Sequence, residues 1–286
     1  MNNIIEQMLT KYEIKNTNDE INALKEIIQE IILVGLSRGH FFDVAAFYGG
    51  TALRIFYHLD RFSEDLDFAL IKDNQDFQLS SYFSYIEKEL KSYGLNLEVS
   101  TKTKKIDSNI TTAFVSGDTH ELILKFFPNK ENHKYSQLLK KIKIKFEVDI
   151  HPPMGATYEY KYKLLPSPHQ IKLYDMPSLF ASKIHAILCR NWSSRVKGRD
   201  LYDYVFFLAN HTPVNIELIK NKLIASNYIN TNQPFDINTL KELLNKKFST
   251  IDYKEAKEDV IPFIKDIDSL NLWNQDFFIS ITEDLT

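Results

Sequence analysis

The residues of this chain with the clearest chemical potential lie between Phe47 and Leu70, in the stretch FYGGTALRIFYHLDRFSEDLDFAL. Asp65-Leu66-Asp67, read as part of a strand, puts both carboxylates on one face and Leu66 on the other. Carboxylates that close repel each other, and one pKa rises unless a cation sits between them. A hard cation such as Mg²⁺ takes oxygen ligands from one or two carboxylates together with phosphate oxygens. Upstream, Gly49 and Gly50 let the backbone take φ values that other residues avoid, and let a ligand approach closely. Thr51 then opens a helix whose first N–H groups face the same space, which suits an anion such as phosphate. A glycine pair alone is most often a turn, and a DxD alone is usually an exposed strand face. The ordered unit of strand, Gly-Gly-Thr, short helix and DxD strand has few such explanations and points to a metal–nucleotide site.

The elements that must hold these groups follow from the pattern of apolar residues. Phe42 to Tyr48 reads as a first strand, Thr51 to Tyr57 as a helix, and Asp65 to Leu70 as a second strand. Before them, residues 3 to 13 have a helical apolar period. Thr17-Asn18-Asp19-Glu20 looks like a capping box that starts a helix running to Arg38 through Ile21, Leu24, Ile27, Ile28 and Ile31. After the site, Asp76 to Tyr93 is helical, with Gly94 as its C-terminal cap. Strands are predicted at 95–101, 109–116, 121–127 and 142–150, with Gly117-Asp118 as a hairpin turn. The last strand alternates cleanly, with Lys143, Lys145, Glu147 and Asp149 on its polar face, and His151-Pro152-Pro153 ends it. Residues 154–176 form a connector with one more short strand, and the domain boundary falls there. The remainder is helical: Pro177 sits at a helix start, a basic loop covers 190–198, and Arg199 opens the next helix. Further helices are expected near 215–226, 236–248, 253–264 and 270–281.

Gly49-Gly50-Thr51-Ala52-Leu53-Arg54 and Arg61-Phe62-Ser63-Glu64-Asp65-Leu66-Asp67-Phe68 resemble the nucleotidyltransferase-like AbiEii/AbiGii toxin family. These are the toxin halves of type IV toxin–antitoxin and abortive-infection systems. Met176 to Leu208 is similar to the same family, with Lys183 matching its helical lysine, Arg199-Asp200 its Arg-Asp pair and Asp203 the acid that follows. The resemblance implies an α+β fold: a polymerase-β-like nucleotidyltransferase core, a mixed sheet with flanking helices over residues 1–160, and a helical C-terminal domain over 161–286. It also implies transfer of a nucleoside monophosphate from an NTP with release of pyrophosphate, on an RNA acceptor such as the 3′ end of tRNA, blocking translation. In that scheme Gly49, Gly50, Thr51, Arg61, Ser63, Lys183 and Arg199 contact the triphosphate, and Asp65 and Asp67 hold Mg²⁺. A third carboxylate comes from a strand beside the DxD strand. Asp149 is the first choice and Glu147 the reserve, since periodicity does not separate them. Lys183 would neutralise charge that develops on the phosphates, while Asp200 would orient Lys183 or take the proton of the attacking hydroxyl. Two other readings are nucleotidylation of a protein hydroxyl and a non-catalytic module that binds nucleotide or RNA. Intact motifs weigh against the second.

Composition sets the frame. A 286-residue chain suits one large or two medium domains, and 44% hydrophobic with 26% charged residues is ordinary for a globular protein. No apolar run is long enough to span a bilayer and the N-terminus has no signal-peptide pattern, so a cytoplasmic location without membrane contact is expected. The one cysteine, Cys189, excludes an internal disulfide, agrees with a reducing compartment, and reads as a small core residue. Net charge is −3, yet residues 125–145 hold seven lysines against Glu131 while residues 250–286 hold three lysines against nine acids. The basic stretch suits either a phosphate backbone or a solvated face. The partners expected are NTP and an RNA acceptor, with no obligate protein partner and a cognate antitoxin that need not touch the toxin.

Overall fold

The computed structural model describes residues 3–101, 109–127, 141–191 and 196–286. In chain order the helices and strands are α1 (Asn3–Leu9), α2 (Thr17–Arg38), β1 (Ala45–Tyr48), α3 (Gly49–Tyr57), β2 (Leu66–Leu70), α4 (Phe83–Ser92), β3 (Glu98–Thr101), β4 (Ile110–Gly117), α5 (Thr119–Phe126), β5 (Ile142–Asp149), β6 (Tyr158–Lys163) and β7 (His169–Tyr174). Six helices complete it: α6 (Met176–Cys189), α7 (Gly198–Ala209), α8 (Ile216–Ala225), α9 (Ile237–Phe248), α10 (Tyr253–Val260) and α11 (Gln275–Thr282). The α+β class is as expected. The described residues fall into two compact units. One takes those within Met1–Thr51, Phe62–Pro152 and Tyr160–Leu173, the other those within Ala52–Arg61, Pro153–Glu159 and Tyr174–Thr286.

The sheet runs β3-β4-β5-β2-β1-β7-β6 and is mixed. β1 and β2 are antiparallel, with Tyr48 opposite Asp67, while β2 and β5 are parallel, with Asp67 opposite Glu147 and Ala69 opposite Asp149. One face of these strands carries Phe47, Phe68 and Phe146, each fully buried, and Phe41 meets Phe68 edge-on at 5.0 Å between ring centroids. Alternation along each strand therefore sends Asp67, Glu147 and Asp149 to the other face. The second unit is helical, and its core is aromatic: Phe180 stacks on Phe207 at 4.6 Å, and Tyr204 meets Phe248 at 5.4 Å.

Four local expectations are corrected. The capping box of α2 is made by Asn16 and Asp19, one residue earlier than predicted, because the Asn16 side chain accepts from the Asp19 N–H. Leu79–Tyr82 is a short 3-10 turn before α4, in place of one continuous helix. Residues 119–126 form a helix and not a strand, and Gly117-Asp118 is no hairpin turn. Asp118 caps α5 instead, accepting from the Glu121 N–H at 2.9 Å. The connector after β5 holds two strands, β6 and β7, which extend the sheet beyond β1. Most of the basic stretch at 125–145 and part of the 190–198 loop lie outside the described residues. Among those described, no helix is long and apolar enough to cross a membrane.

Candidate nucleotide and metal site

The Gly-Gly-Thr step is where β1 turns directly into α3. Gly49 has φ +84°, a conformation that strains any residue with a Cβ. Space demands glycine as well, since a Cβ there would fall 2.5 Å from Asp67 Oδ2. The carboxylate of Asp67 thus lies directly against the start of α3, where the first-turn N–H groups have no helical acceptor. Thr51 is fully buried, and its hydroxyl donates to the carbonyl of Asp65. Of the group expected to contact phosphate, Thr51 therefore commits its side chain to tying α3 to the DxD strand, leaving its backbone for a ligand.

That strand start is held from a second direction. Gln29, fully buried on α2, donates through Nε2 to the carbonyls of Ser63 at 3.0 Å and Glu64 at 2.9 Å. With Thr51 on Asp65, three successive carbonyls are each taken by a side chain from elsewhere in the fold. Ser63 itself is half-buried beside them. The sequence reading gave Gln29 no role. A signal existed: Gln29 interrupts an apolar helical run, Ile27-Ile28-Gln29-Glu30-Ile31, and a polar side chain in such a run must find partners.

Asp65 is exposed and Asp67 half-buried. The register places Glu147, and not Asp149, directly beside Asp67. Glu147 accepts from Thr112 Oγ1 at 3.0 Å and is ion-paired to Lys145, whereas Asp149 lies one pleat further on and accepts from the His151 N–H at 3.0 Å. Among the described residues no group of three His, Cys, Asp or Glu side chains is gathered tightly enough to enclose a metal. An oxygen-only pair fits Mg²⁺ nonetheless, because that ion is usually held by one or two carboxylates and completed by phosphate oxygens and water. A cleft of about 720 Å³ in the same unit opens at the opposite end of β2, past Leu70. None of the expected site residues lines it.

The other expected residues sit in the second unit. Asp175 caps α6, accepting from the Ser178 N–H at 3.0 Å, and the helix carries Lys183 towards the first turn of α7. There Lys183 Nζ lies 2.7 Å from Asp200 Oδ1 and 2.7 Å from Asp203 Oδ2. Asp203 also receives two bonds from Arg61, from Nε and Nη2, each 2.6 Å, and Arg190 pairs with the second oxygen of Asp200. Burial alone would lift the Asp200 carboxyl, but the charges of Lys183, Arg190 and Arg61 outweigh it and hold it below the usual carboxylate range.

Two residues expected on phosphate are placed otherwise. Arg61 is 3% exposed and its fork is committed to Asp203, so it anchors the acid beside Lys183. Arg199 points to α10, its guanidinium 4.1 Å from the Phe263 ring and 3.6 Å from Asp259. His185 Nε2 lies 2.6 Å from Ser226 Oγ, and burial with Lys222 and Arg190 nearby pushes its pKa down to about 4. Burial pushes the Cys189 thiol up, away from thiolate chemistry.

Residues 31–279 match the family described as nucleotidyl transferase AbiEii toxin, type IV TA system. No match is found among curated protein sequences. Among solved structures, the nucleotidyltransferase toxin MenT4 of Mycobacterium tuberculosis H37Rv is similar with a TM-score of 0.52 and 14% identity, over 100% of this chain and 90% of that one. JHP933 from Helicobacter pylori aligns with a TM-score of 0.47 and 17% identity, covering 92% of this chain and 90% of that one.

Proposed function

Because the chain belongs to the AbiEii nucleotidyl transferase toxin family of type IV toxin–antitoxin systems, and so is a nucleotidyltransferase, we propose that it joins a nucleoside monophosphate from an NTP to the 3′ end of an RNA, with tRNA as acceptor. Such a product would block translation. The observation that carries this reading is the apposition of Gly49 and Asp67, which sets a positive-φ glycine at a helix start directly against the carboxylate of Asp67.

In this reading the backbone N–H groups at Gly49, Gly50 and Thr51 receive phosphate oxygens. Asp65 and Asp67 hold Mg²⁺, with Glu147 or Asp149 as the third acid. The ion, when bound, would neutralise phosphate charge and make the acceptor oxygen a better nucleophile. Gln29 and Thr51 fix the backbone from Ser63 to Asp65, so the two carboxylates are oriented before substrate arrives. Lys183 supplies positive charge to the triphosphate. Asp200 acts as its orienter and not as a base, since both oxygens are engaged and its affinity for a proton is low. The acceptor oxygen bonds to the α-phosphorus as pyrophosphate leaves. NTP and tRNA both point to the cytoplasm, and the antitoxin need not contact the toxin.

The test is incubation with each α-labelled NTP, Mg²⁺ and total tRNA, comparing the parent with Asp67→Ala. Label on tRNA with the parent alone is the expected result. Label on a protein band, dependent on Asp67, would move the acceptor to a protein hydroxyl and keep the chemistry. No label on any acceptor would refute the proposal.

A further inference from the structure

The far edge of the sheet carries a feature that the transfer site does not use. β6 is the terminal strand, and along it Tyr160, Tyr162 and then Leu164 are 55%, 71% and 74% exposed. Large rings standing in water at every second residue are an unusual use of an edge strand, which is more often blunted with charge alone. The rings are also held in place. Gln170 on β7 donates from Nε2 to Tyr162 Oη at 2.8 Å, and Lys172 on β7 places its ammonium 5.2 Å from the Tyr160 ring centroid.

The register shows which face these groups occupy. Phe47 on β1 is opposite Leu173 on β7, so Leu173 shares the core face with Phe47. Lys172 and Gln170 alternate to the other face, and bring Tyr160 and Tyr162 with them. That is the face on which Asp67 and Glu147 stand. From β2 across β1 and β7 to β6 is three strand spacings, roughly 14 Å at about 4.8 Å each. Lys172 puts a positive charge on this face, while Lys161 and Lys163 alternate to the other one, and residues 160–173 contain no acid. Lys163 is used on the opposite face, 2.6 Å from buried Glu30.

We propose that Tyr160 and Tyr162, with Lys172, form a stacking platform for single-stranded RNA on the same sheet face as Asp67. The proposal rests on the RNA-acceptor reading above and adds where the strand lies. Exposed ring faces on a sheet stack unpaired bases regardless of sequence, and a neighbouring ammonium meets the backbone phosphate. Bases stacked in a duplex offer no face to such a platform. A strand with its 3′ end at the carboxylates would reach β6 within a few nucleotides, well inside the footprint usual for single-strand binders.

The experiment measures binding of a 5′-fluorescein, unstructured 12-nucleotide RNA by anisotropy in an Asp67→Ala background, which removes turnover. In that background Tyr160→Ala with Tyr162→Ala is expected to weaken binding about 100-fold, roughly ten-fold per ring. Tyr160→Phe with Tyr162→Phe keeps the rings and is expected to bind within about three-fold of the parent. A blunt RNA duplex should bind both equally. The platform is overturned if the alanine pair binds single strands like its parent, if duplex binding falls to the same extent, or if the parent does not bind the single strand. It is also overturned if the alanine pair loses only self-association in sedimentation, which would make the edge a contact between two copies. Labelling of tRNA by the wild-type chain, read separately, keeps the transfer reading distinct: label with unchanged single-strand binding sinks the platform alone.

Discussion

The carboxylate of Asp67 occupies the space that a side chain on Gly49 would need. Conformation and packing therefore select the same residue at position 49, and each has a separate consequence. Gly49→Ala forces a Cβ into φ +84°, which costs about 1–2 kcal/mol. It also pushes Asp67 out of line with the first turn of α3. The expected result is a small fall in melting temperature and a loss of labelled transfer of about 100-fold or more, since misplacing a reacting group by about 1 Å has that scale of effect. Wild-type transfer by Gly49→Ala would show that Asp67 is not held against this turn for catalysis.

Register separates the two candidates for the proposed third acid. Glu147 is opposite Asp67 across the parallel β2–β5 pair, and Asp149 is opposite Ala69. Glu147→Gln keeps the shape and the bond from Thr112 and removes only the charge, so it is expected to lower transfer more than Asp149→Asn. Steady-state rates over a Mg²⁺ titration check this. A larger loss in Asp149→Asn, with a raised Mg²⁺ requirement, would return the role to Asp149.

Arg61 and Asp203 form a buried pair, 3% and 0% exposed by side chain, with Lys183 as a second partner of the same acid. Removing one member of such a pair leaves an uncompensated buried charge and costs about 3–5 kcal/mol. Asp203→Asn is expected to lose stability on that scale in urea unfolding. Arg61→Lys should recover little of what Arg61→Ala loses, because an ammonium does not reproduce the two parallel bonds of the guanidinium. A cost under about 1 kcal/mol for Asp203→Asn would mean that the network is dispensable to the fold.

The parts legible in the sequence were those set by local spacing. The face taken by Asp67, the glycine turn, Pro177 at a helix start and the polar face of β5 all follow from periods of two or from single-residue conformations, whereas Asp65 lies just before β2. What escaped was set by partners far along the chain. Arg61 and Asp203 are 142 residues apart, so no window reveals that the arginine is consumed by an acid. Gln29 is 34 residues before Ser63, whose carbonyl it holds. The run Leu122-Ile123-Leu124 has a composition suited to strand or helix, and Asp118 as N-cap decided for the helix. Strands β6 and β7 were hidden by prolines 166 and 168, which lie in the turn between them.

Gln29 offers a test of preorganisation. Gln29→Leu conserves most of the volume but leaves the carbonyls of Ser63 and Glu64 without this donor. Each deprived buried group costs about 1–3 kcal/mol. The expected kinetic effect is a lower kcat with little change in KM for NTP, since the backbone carrying Asp65 loosens while the glycine turn remains. Gln29→Glu, which has no donor while ionised, should behave like the leucine variant. An unchanged kcat in both would limit Gln29 to stability.

His185 sets a pH dependence with a definite sign. In the fold its pKa is pushed down to about 4 by burial, with Lys222 and Arg190 adding to the effect. Unfolded, it titrates near 6.5. Between those values the unfolded chain binds the extra proton, so stability falls as pH drops from about 6.5 to about 4, by at most about 3 kcal/mol. His169, lowered by burial in the first unit, acts with the same sign. Asp200 works in a separate window: its folded pKa is depressed, so its contribution is present above about 4 and lost only below. His185→Gln, able to keep a bond to Ser226, should therefore flatten the slope of urea stability between pH 6.5 and 4 while leaving the fall below pH 4 in place. An unaltered slope in that variant would show that His185 is charged in the fold, and that the neutral, half-buried ring facing Ser226 is not its state.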